Sequence, residues 1–171
     1  RKTNSEFVKN GMHDNGSTGI AVLHRDGFMS LRADDRGGVV TTRPVTFNGK
    51  HLFVNVNCPE GQLKVEILDR DHSVIAPYSS ADCVPVSADS TIKQIVWKNA
   101  GNLASLKNKP VRFRFYLAKG DLFSFWVSPD ESGASHGYNA AGGPGFKGDM
   151  DIEGLDAYKQ AVGFPDLLNH C

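Results

Sequence analysis

The sequence predicts an all-β chain, an antiparallel β-sandwich of jelly-roll type. Three observations predict it. Short runs alternate apolar and polar side chains at period two, the signature of a half-buried strand. Turn-forming residues separate nearly all of these runs, which gives about ten strands at close spacing. Before residue 150 no helical stretch longer than one or two turns is expected. At 171 residues the chain suits one domain with a single core. Its 18 glycines suit tight turns, and its 10 phenylalanines outnumber the 2 tryptophans and 4 tyrosines, as an apolar sheet-on-sheet core requires.

Residues 1–18 are polar, contain Asn10-Gly11 and Asn15-Gly16, and read as an N-terminal arm or linker. The sandwich module is assigned to residues 19–148 and a C-terminal tail to residues 149–171. Residues 19–24 (GIAVLH) suit a short apolar strand, and Asp26-Gly27 is a tight-turn signal. Residues 28–33 (FMSLRA) are the next strand, then a turn over 34–38 and a strand over 39–43 that Pro44 ends. Residues 45–47 are extended up to Asn48-Gly49, a hairpin-type dipeptide. His51–Asn57 alternates Leu52, Val54 and Val56 against Phe53, Asn55 and Asn57. Pro59-Glu60-Gly61 turns the chain into Gln62–Leu68, which alternates Leu63, Val65 and Ile67 against Lys64, Glu66 and Leu68. A turn over 69–72 and the apolar pair Val74-Ile75 lead to a long Ser/Asp/Pro loop over 76–90. Residues 91–98 (TIKQIVWK) are a strand, and residues 99–109 are a connection with one helical turn at 103–106.

Residues 111–127 (VRFRFYLAKGDLFSFWV) carry the clearest pattern. Val111, Phe113, Phe115 and Leu117 fall on one side of a strand, and Arg112, Arg114 and Tyr116 on the other. After the break Lys119-Gly120-Asp121, Phe123, Phe125 and Val127 face one way, and Ser124 and Trp126 the other. A glycine-containing break between two such runs predicts a β-hairpin. Its inner face is apolar; its outer face bears two arginines, a tyrosine and a tryptophan. Residues 128–154 are glycine-rich and read as a long loop or wrapping arm. Residues 155–168 suit a short helix interrupted at Gly163 and Pro165.

Several classes are disfavoured. The 19 Lys and Arg residues balance the 19 Asp and Glu residues, so no basic stripe argues for nucleic acid. No apolar run reaches the ~18 residues of a membrane span. The chain opens on Arg1 without a signal-peptide pattern, as a fragment or processed product would. Cys58, Cys83 and Cys171 form no CxxC pair, which argues against zinc. Cys58 and Cys83 lie at strand edges near Pro59 and Pro85. A disulfide between them would suit a secreted chain; two buried free thiols are the alternative. The 6 histidines show no metal-ligand spacing, and there is no Gly-x-Ser-x-Gly elbow. No acid pair sits in an apolar pocket pattern, as glycoside hydrolysis would need. Catalysis by this chain is therefore not expected.

Residues 25–28 (RDGF), Ser30-Leu31, residues 41–44 (TTRP), Gly49-Lys50, the alternating strand over 52–57, residues 109–111 (KPV) and the Phe-rich stretch over 113–125 follow in an order of their own. In this order they resemble a β-sandwich accessory module of carbohydrate-active proteins. That module follows a five-bladed β-propeller in glycoside hydrolase family 32-like proteins of environmental bacteria. The resemblance spans residues 18–148; Asn108-Lys109 stands where Gly-Lys is usual before the proline. It implies a non-catalytic module of an exported protein, secreted or periplasmic, whose catalytic acids lie on the propeller. Such a module binds polysaccharide or oligosaccharide, or only packs against the adjacent catalytic domain of the same chain. A small independent hydrolase is the third alternative. No nucleic acid, membrane or cofactor is implied, apart from the structural calcium that many sandwich modules hold.

Sugar recognition needs an aromatic face for the apolar side of the ring and planar polar groups for the hydroxyls. Arg112, Arg114, Tyr116 and Trp126 supply both if their strand face is open, and Lys64 and Glu66 lie on a strand that would share it. Tyr138 and His136 belong to a loop over 133–148 that either presents them to a ligand or straps an edge strand. Trp97 and Tyr78 are further aromatics; Trp97 shares its strand side with Ile95 and suits the core. For calcium the candidates are Asp69 with Asp71, Asp34 with Asp35, and Asp149, Asp151 and Glu153. Each group supplies only part of the six to eight oxygens the ion takes.

Overall fold

Among the described residues, period-two alternation is realised as seven strands. The computed structural model describes residues 19, 26–138 and 145–160, so the expected arm over 1–18, all but the first residue of the strand expected over 19–24, Cys171 and the end of the expected C-terminal helix lie outside the described residues. The strands are β1 (Leu31–Ala33), β2 (Gly38–Thr41), β3 (His51–Asn57), β4 (Gln62–Leu68), β5 (Asp89–Gln94), β6 (Arg112–Ala118) and β7 (Gly120–Ser128). Among the described residues a single 3-10 turn spans Ala104–Leu106, and one short helix, α1, spans Leu155–Gln160. The strands form a four-stranded sheet of order β1-β7-β3-β5 and a three-stranded sheet of order β2-β6-β4. All their pairings are antiparallel.

The two sheets face each other across one apolar core, so the chain is an all-β sandwich. Leu52, Val54 and Val56 of β3 meet Leu63, Val65 and Ile67 of β4 and Phe113, Phe115 and Leu117 of β6. Those inward sets are the ones the alternation predicts. A jelly roll carries eight strands. Beside β4, where the three-stranded sheet would take its fourth, the chain makes two isolated bridges, Val74 to Leu68 and Val86 to Leu63, rather than a ladder.

Consecutive strands alternate between the sheets throughout, so none of the six connections is a hairpin. This corrects the expectation for residues 111–127. β6 is flanked by β2 and β4, and β7 by β1 and β3. The chain changes sheet at Lys119, which takes a left-handed φ of 47°, and Gly120. The physical reason is the apolar content of both strands. A flat hairpin would set the two phenylalanine-rich faces side by side and leave both to be covered. Folding them across the core lets each cover the other: Phe125 of β7 lies 5.6 Å from Phe113 and 5.0 Å from Phe115 of β6, centroid to centroid.

The expected facing within β7 also changes. Asn55 pairs with Ser124 but Val56 pairs with Leu122, which leaves Phe123 as the extra residue of a β-bulge. The bulge shifts the alternation by one. Leu122 therefore joins Phe125 and Val127 on the core side, and Phe123 does not.

Three glycines read as turn residues also serve close approaches between neighbouring strands of one sheet. A Cβ at Gly49 would meet the Val127 carbonyl, one at Gly61 the Ala118 carbonyl, and one at Gly120 the Asn57 carbonyl and Cys58. Cys58 and Cys83 are free and buried. The Cys58 thiol donates to the Val86 carbonyl, while the Cys83 sulfur accepts the Val65 N–H. Of the two alternatives for this pair, the free thiols are the ones found. Trp97 is core, its indole N–H donating to the Val65 carbonyl at 3.0 Å. Tyr78 packs edge-on against it and donates its hydroxyl hydrogen bond to the Asn102 carbonyl.

The close approach at Gly61 generates a test. Gly61→Ala is expected to destabilise the chain by about 2 kcal/mol or more, since the backbone must shift to admit the methyl. Gly101→Ala, where a Cβ meets nothing within 4 Å, is the control and should stay within about 0.5 kcal/mol of the parent. The urea midpoints of the two variants give the comparison.

Candidate functional site

The outer faces of the two sheets differ. Over the four-stranded sheet the chain lays residues 129–138 and 145–160. Phe53 is fully buried although it points away from the core. Trp126 stacks on it at 5.8 Å, and the Trp126 indole N–H donates to the Gly133 carbonyl at 2.8 Å. Gly133 has a φ of 77° and passes so close that a Cβ would meet Phe53 and Ile92. The fully buried Asp151 fixes this strap, accepting the Ser135 N–H on Oδ2 and the Gly154 N–H on Oδ1. At its end the Tyr158 hydroxyl meets Thr91 Oγ1 of β5 at 2.8 Å. The strap of the two alternatives thus has its counterpart here, and it covers a sheet face as well as the β5 edge.

The outer face of the three-stranded sheet carries no such cover among the described residues. Register fixes its layout, because directly opposed residues point to the same side. One row reads Lys64, Tyr116, Val39 and the next Glu66, Arg114, Thr41. Arg112 follows on β6, opposite Leu68. The expectation that Lys64 and Glu66 share a face with the arginines is met. The expectation that Trp126 joins them is not: Trp126 lies on the opposite side of the sandwich, because β7 belongs to the other sheet.

Glu66 organises the face. Its carboxylate Oε1 accepts the Tyr116 hydroxyl at 2.7 Å and Arg114 Nη1 at 3.0 Å, and Oε2 accepts the Ser80 N–H at 3.4 Å. Arg114 also donates from Nε to Thr41 Oγ1 at 3.1 Å. Burial alone would push the Glu66 carboxyl up, but the hydrogen bonds from Tyr116, Ser80 and Arg114 outweigh it and hold Glu66 below its ordinary 4.5. The Tyr116 hydroxyl is pushed up, first by burial and then by its bond to Glu66, and so stays a donor. The Tyr116 hydroxyl and Glu66 together raise Arg114 further, against the opposing effect of burial. Arg112 donates from Nη1 to the Thr42 carbonyl at 3.0 Å. Beside this network is a shallow hollow of about 320 Å³, lined by Arg36, Val39, Gln62, Lys64 and Tyr116 among others. Arg36 sits in a turn, where alternation gives no face, while Gln62 was within reach, since it lies two residues before Lys64 on the same side of β4.

The remaining candidates are dispersed. Tyr138 is 80% exposed and bridges to Met150 on the strap, away from the arginines. His136 Nε2 meets Asp130 Oδ2 at 2.7 Å. Asp69 Oδ1 accepts the N–H groups of Asp71 and Ser73, the geometry of a carboxylate closing its own turn. Asp34 likewise bonds the N–H of Arg36. Among the described residues no group of three or more His, Cys, Asp or Glu is placed to hold a metal ion. A second hollow, of about 360 Å³, lies at one end of the sandwich by Asp35, Asn57, Glu60, Lys119 and Asp121. There Asp121 is bound by Arg32 and Ser30, and Asp35 by Lys119. Among the described residues no helix is long and apolar enough to cross a membrane.

The lowered Glu66 carboxyl makes stability depend on pH with a definite sign. A carboxyl held lower in the folded than in the unfolded state contributes fully above its unfolded value, here near 4.5, and that contribution is lost as pH falls through the folded value. Asp34 and Asp121 are also held low, so the slope is shared. The expected result is a difference: Glu66→Gln loses part of the acid-side slope of melting temperature against pH while Asp34→Asn keeps the Glu66 part. Parallel slopes for Glu66→Gln and the parent below pH 4.5 would refute the assignment.

Compared with protein-family models, with curated proteins and with solved structures, the chain matches none.

Proposed function

We propose that this chain is a non-catalytic carbohydrate-binding module, and that the outer face of its three-stranded sheet is the binding surface. One observation carries the reading. The Tyr116 hydroxyl is tied to Glu66 on the neighbouring strand, which holds the ring in one place on the open face. An aromatic ring held still on an open face is a stacking platform for the apolar side of a sugar. Lys64, Gln62 and Arg36 surround it with donors suited to hydroxyls. The one carboxylate on the face, Glu66, is held ionised and already accepts three hydrogen bonds. That suits it to positioning Arg114 and Tyr116 and not to passing a proton to a leaving group. On this reading the module belongs to a longer, exported glycoside-hydrolase-like protein and acts where polysaccharide is found.

A second reading, packing against a neighbouring domain of the same chain, has its own support. Phe28 and Met29 are more than four-fifths exposed, and Leu31 is more than half exposed. They sit at β1, an edge of the four-stranded sheet. Apolar side chains grouped at a sheet edge are a common contact surface.

Affinity electrophoresis of the chain through gels containing soluble polysaccharides decides between them. Retardation by at least one polymer is expected, and Tyr116→Ala should abolish it with a melting temperature within a few degrees of the parent. Migration unchanged in every gel would overturn the carbohydrate reading and leave the packing one.

A further inference from the structure

The charge on the open face selects a class of polysaccharide. Its three strands carry Lys64, Arg112 and Arg114 against one carboxylate, Glu66. Arg114 is the residue that Glu66 neutralises. The residues β2 adds to this face, Val39 and Thr41, are uncharged. At the rim Arg36 pairs with Asp34, which cancels both. On the neighbouring loop Asp82 is bound by Ser79 and Asn99. Two cations therefore remain uncompensated, Lys64 and Arg112. Among the described residues neither has an ion-pair partner, and the Arg112 Nε is buried without a hydrogen bond.

The spacing is informative as well. Lys64 stands directly opposite Tyr116. Opposed residues on neighbouring strands have Cβ atoms about 5 Å apart. That is the width of one pyranose ring, so a sugar stacked on Tyr116 presents its edge to the Lys64 ammonium. A sugar with a carboxylate at that edge is a uronic acid. Charge-assisted hydrogen bonds of this kind are about twice as strong as neutral ones.

Resting on the carbohydrate-binding reading, we infer that the face takes a polyuronate, a polysaccharide with one carboxylate per ring. The chain as a whole is neutral, with 19 basic and 19 acidic residues, so it has no long-range attraction for polyanions. Recognition acts at contact, one carboxylate on one lysine, and one aromatic ring gives no run of stacked bases such as single-stranded nucleic acid uses.

The test uses the full chain in affinity gels and titration calorimetry at low ionic strength. The probes are polygalacturonate, its fully methyl-esterified form, dextran sulfate, duplex DNA and a neutral glucan. Binding to polygalacturonate about tenfold tighter than to its ester is expected. Lys64→Ala should weaken binding about tenfold at an unchanged melting temperature, and Lys64→Arg should restore most of it. Equal binding to the ester, or to the neutral glucan alone, would overturn the inference and leave carbohydrate binding standing. Equal binding to dextran sulfate or DNA would also overturn it, by showing a generic polyanion surface. Failure with every polysaccharide, neutral ones included, would remove the underlying reading too.

Discussion

Phe125 of one sheet pressed against Phe113 and Phe115 of the other is the contact on which the rest of the structure depends. A buried phenylalanine side chain is worth about 1.5–3 kcal/mol, and an aromatic pair adds about 0.5–1.5 kcal/mol beyond its area. Phe47 extends the group at 5.8 Å from Phe113. The contact has a topological consequence. β6 and β7 are consecutive, yet their apolar faces can meet only if the chain changes sheet between them. The same demand falls on β3 and β4, whose inward sets also oppose each other in the core. A chain built of short strands with one very apolar face each is driven to alternate between sheets rather than to run in hairpins.

That alternation explains why the two outer faces came to differ. The four-stranded sheet holds β7, from whose end the chain leaves at Ser128. The chain continues directly over that sheet, with the Ser128 hydroxyl donating to the Ala134 carbonyl at 2.7 Å. Phe53, Trp126 and Ile92 are covered by it. β3 is consequently buried on both sides, His51 and Asn55 included. Among the described residues the loop through Ser80 reaches the face of the three-stranded sheet, and no segment covers it as the strap covers the other. Lys64, Arg114 and Tyr116 keep part of their surface in water there, while Glu66 is buried among its partners.

Alternation is a local signal and was legible wherever both faces of a strand differ. Leu63, Val65 and Ile67, and Phe113, Phe115 and Leu117, could be assigned inward from sequence alone. So could the common side of Arg112, Arg114 and Tyr116 and that of Lys64 and Glu66, although joining the two sides into one face took the pairing of β4 with β6. Partner choice was not legible, because period two says which way a side chain points and nothing about which strand lies alongside. Gly49, Gly61 and Gly120 show the ambiguity. Each sits in a segment that suits a tight turn, and each is also required where the backbone of a neighbouring strand in the same sheet passes very close. The bulge at Phe123 was hidden for a related reason. Phe123 and Leu122 are both apolar, so a one-residue shift leaves the pattern looking intact while exchanging which of them enters the core. Placing Trp126 beside Arg114 was the price of the hairpin assignment, since only a flat β6–β7 pair would put them together.

Glu66 then acquires a meaning that its position in an alternating strand does not suggest. A carboxylate this deeply buried would be costly if left alone. Here Arg114, Tyr116 and the Ser80 N–H satisfy it, and in return it fixes two side chains that would otherwise sample several rotamers. Holding Arg114 and the Tyr116 ring in place before any ligand arrives lowers the ordering cost of binding. It also removes Arg114 from the set of cations able to attract an anion, because that guanidinium already has its counter-charge. The face thereby has a neutral row at Glu66 and Arg114 beside a row in which the cationic Lys64 stands opposite Tyr116. For the proposed uronate ligand the division matters more than the total charge. A carboxylate placed toward Glu66 would be repelled and one placed toward Lys64 attracted, so the same network that steadies the ring also sets which way round a sugar can lie on it.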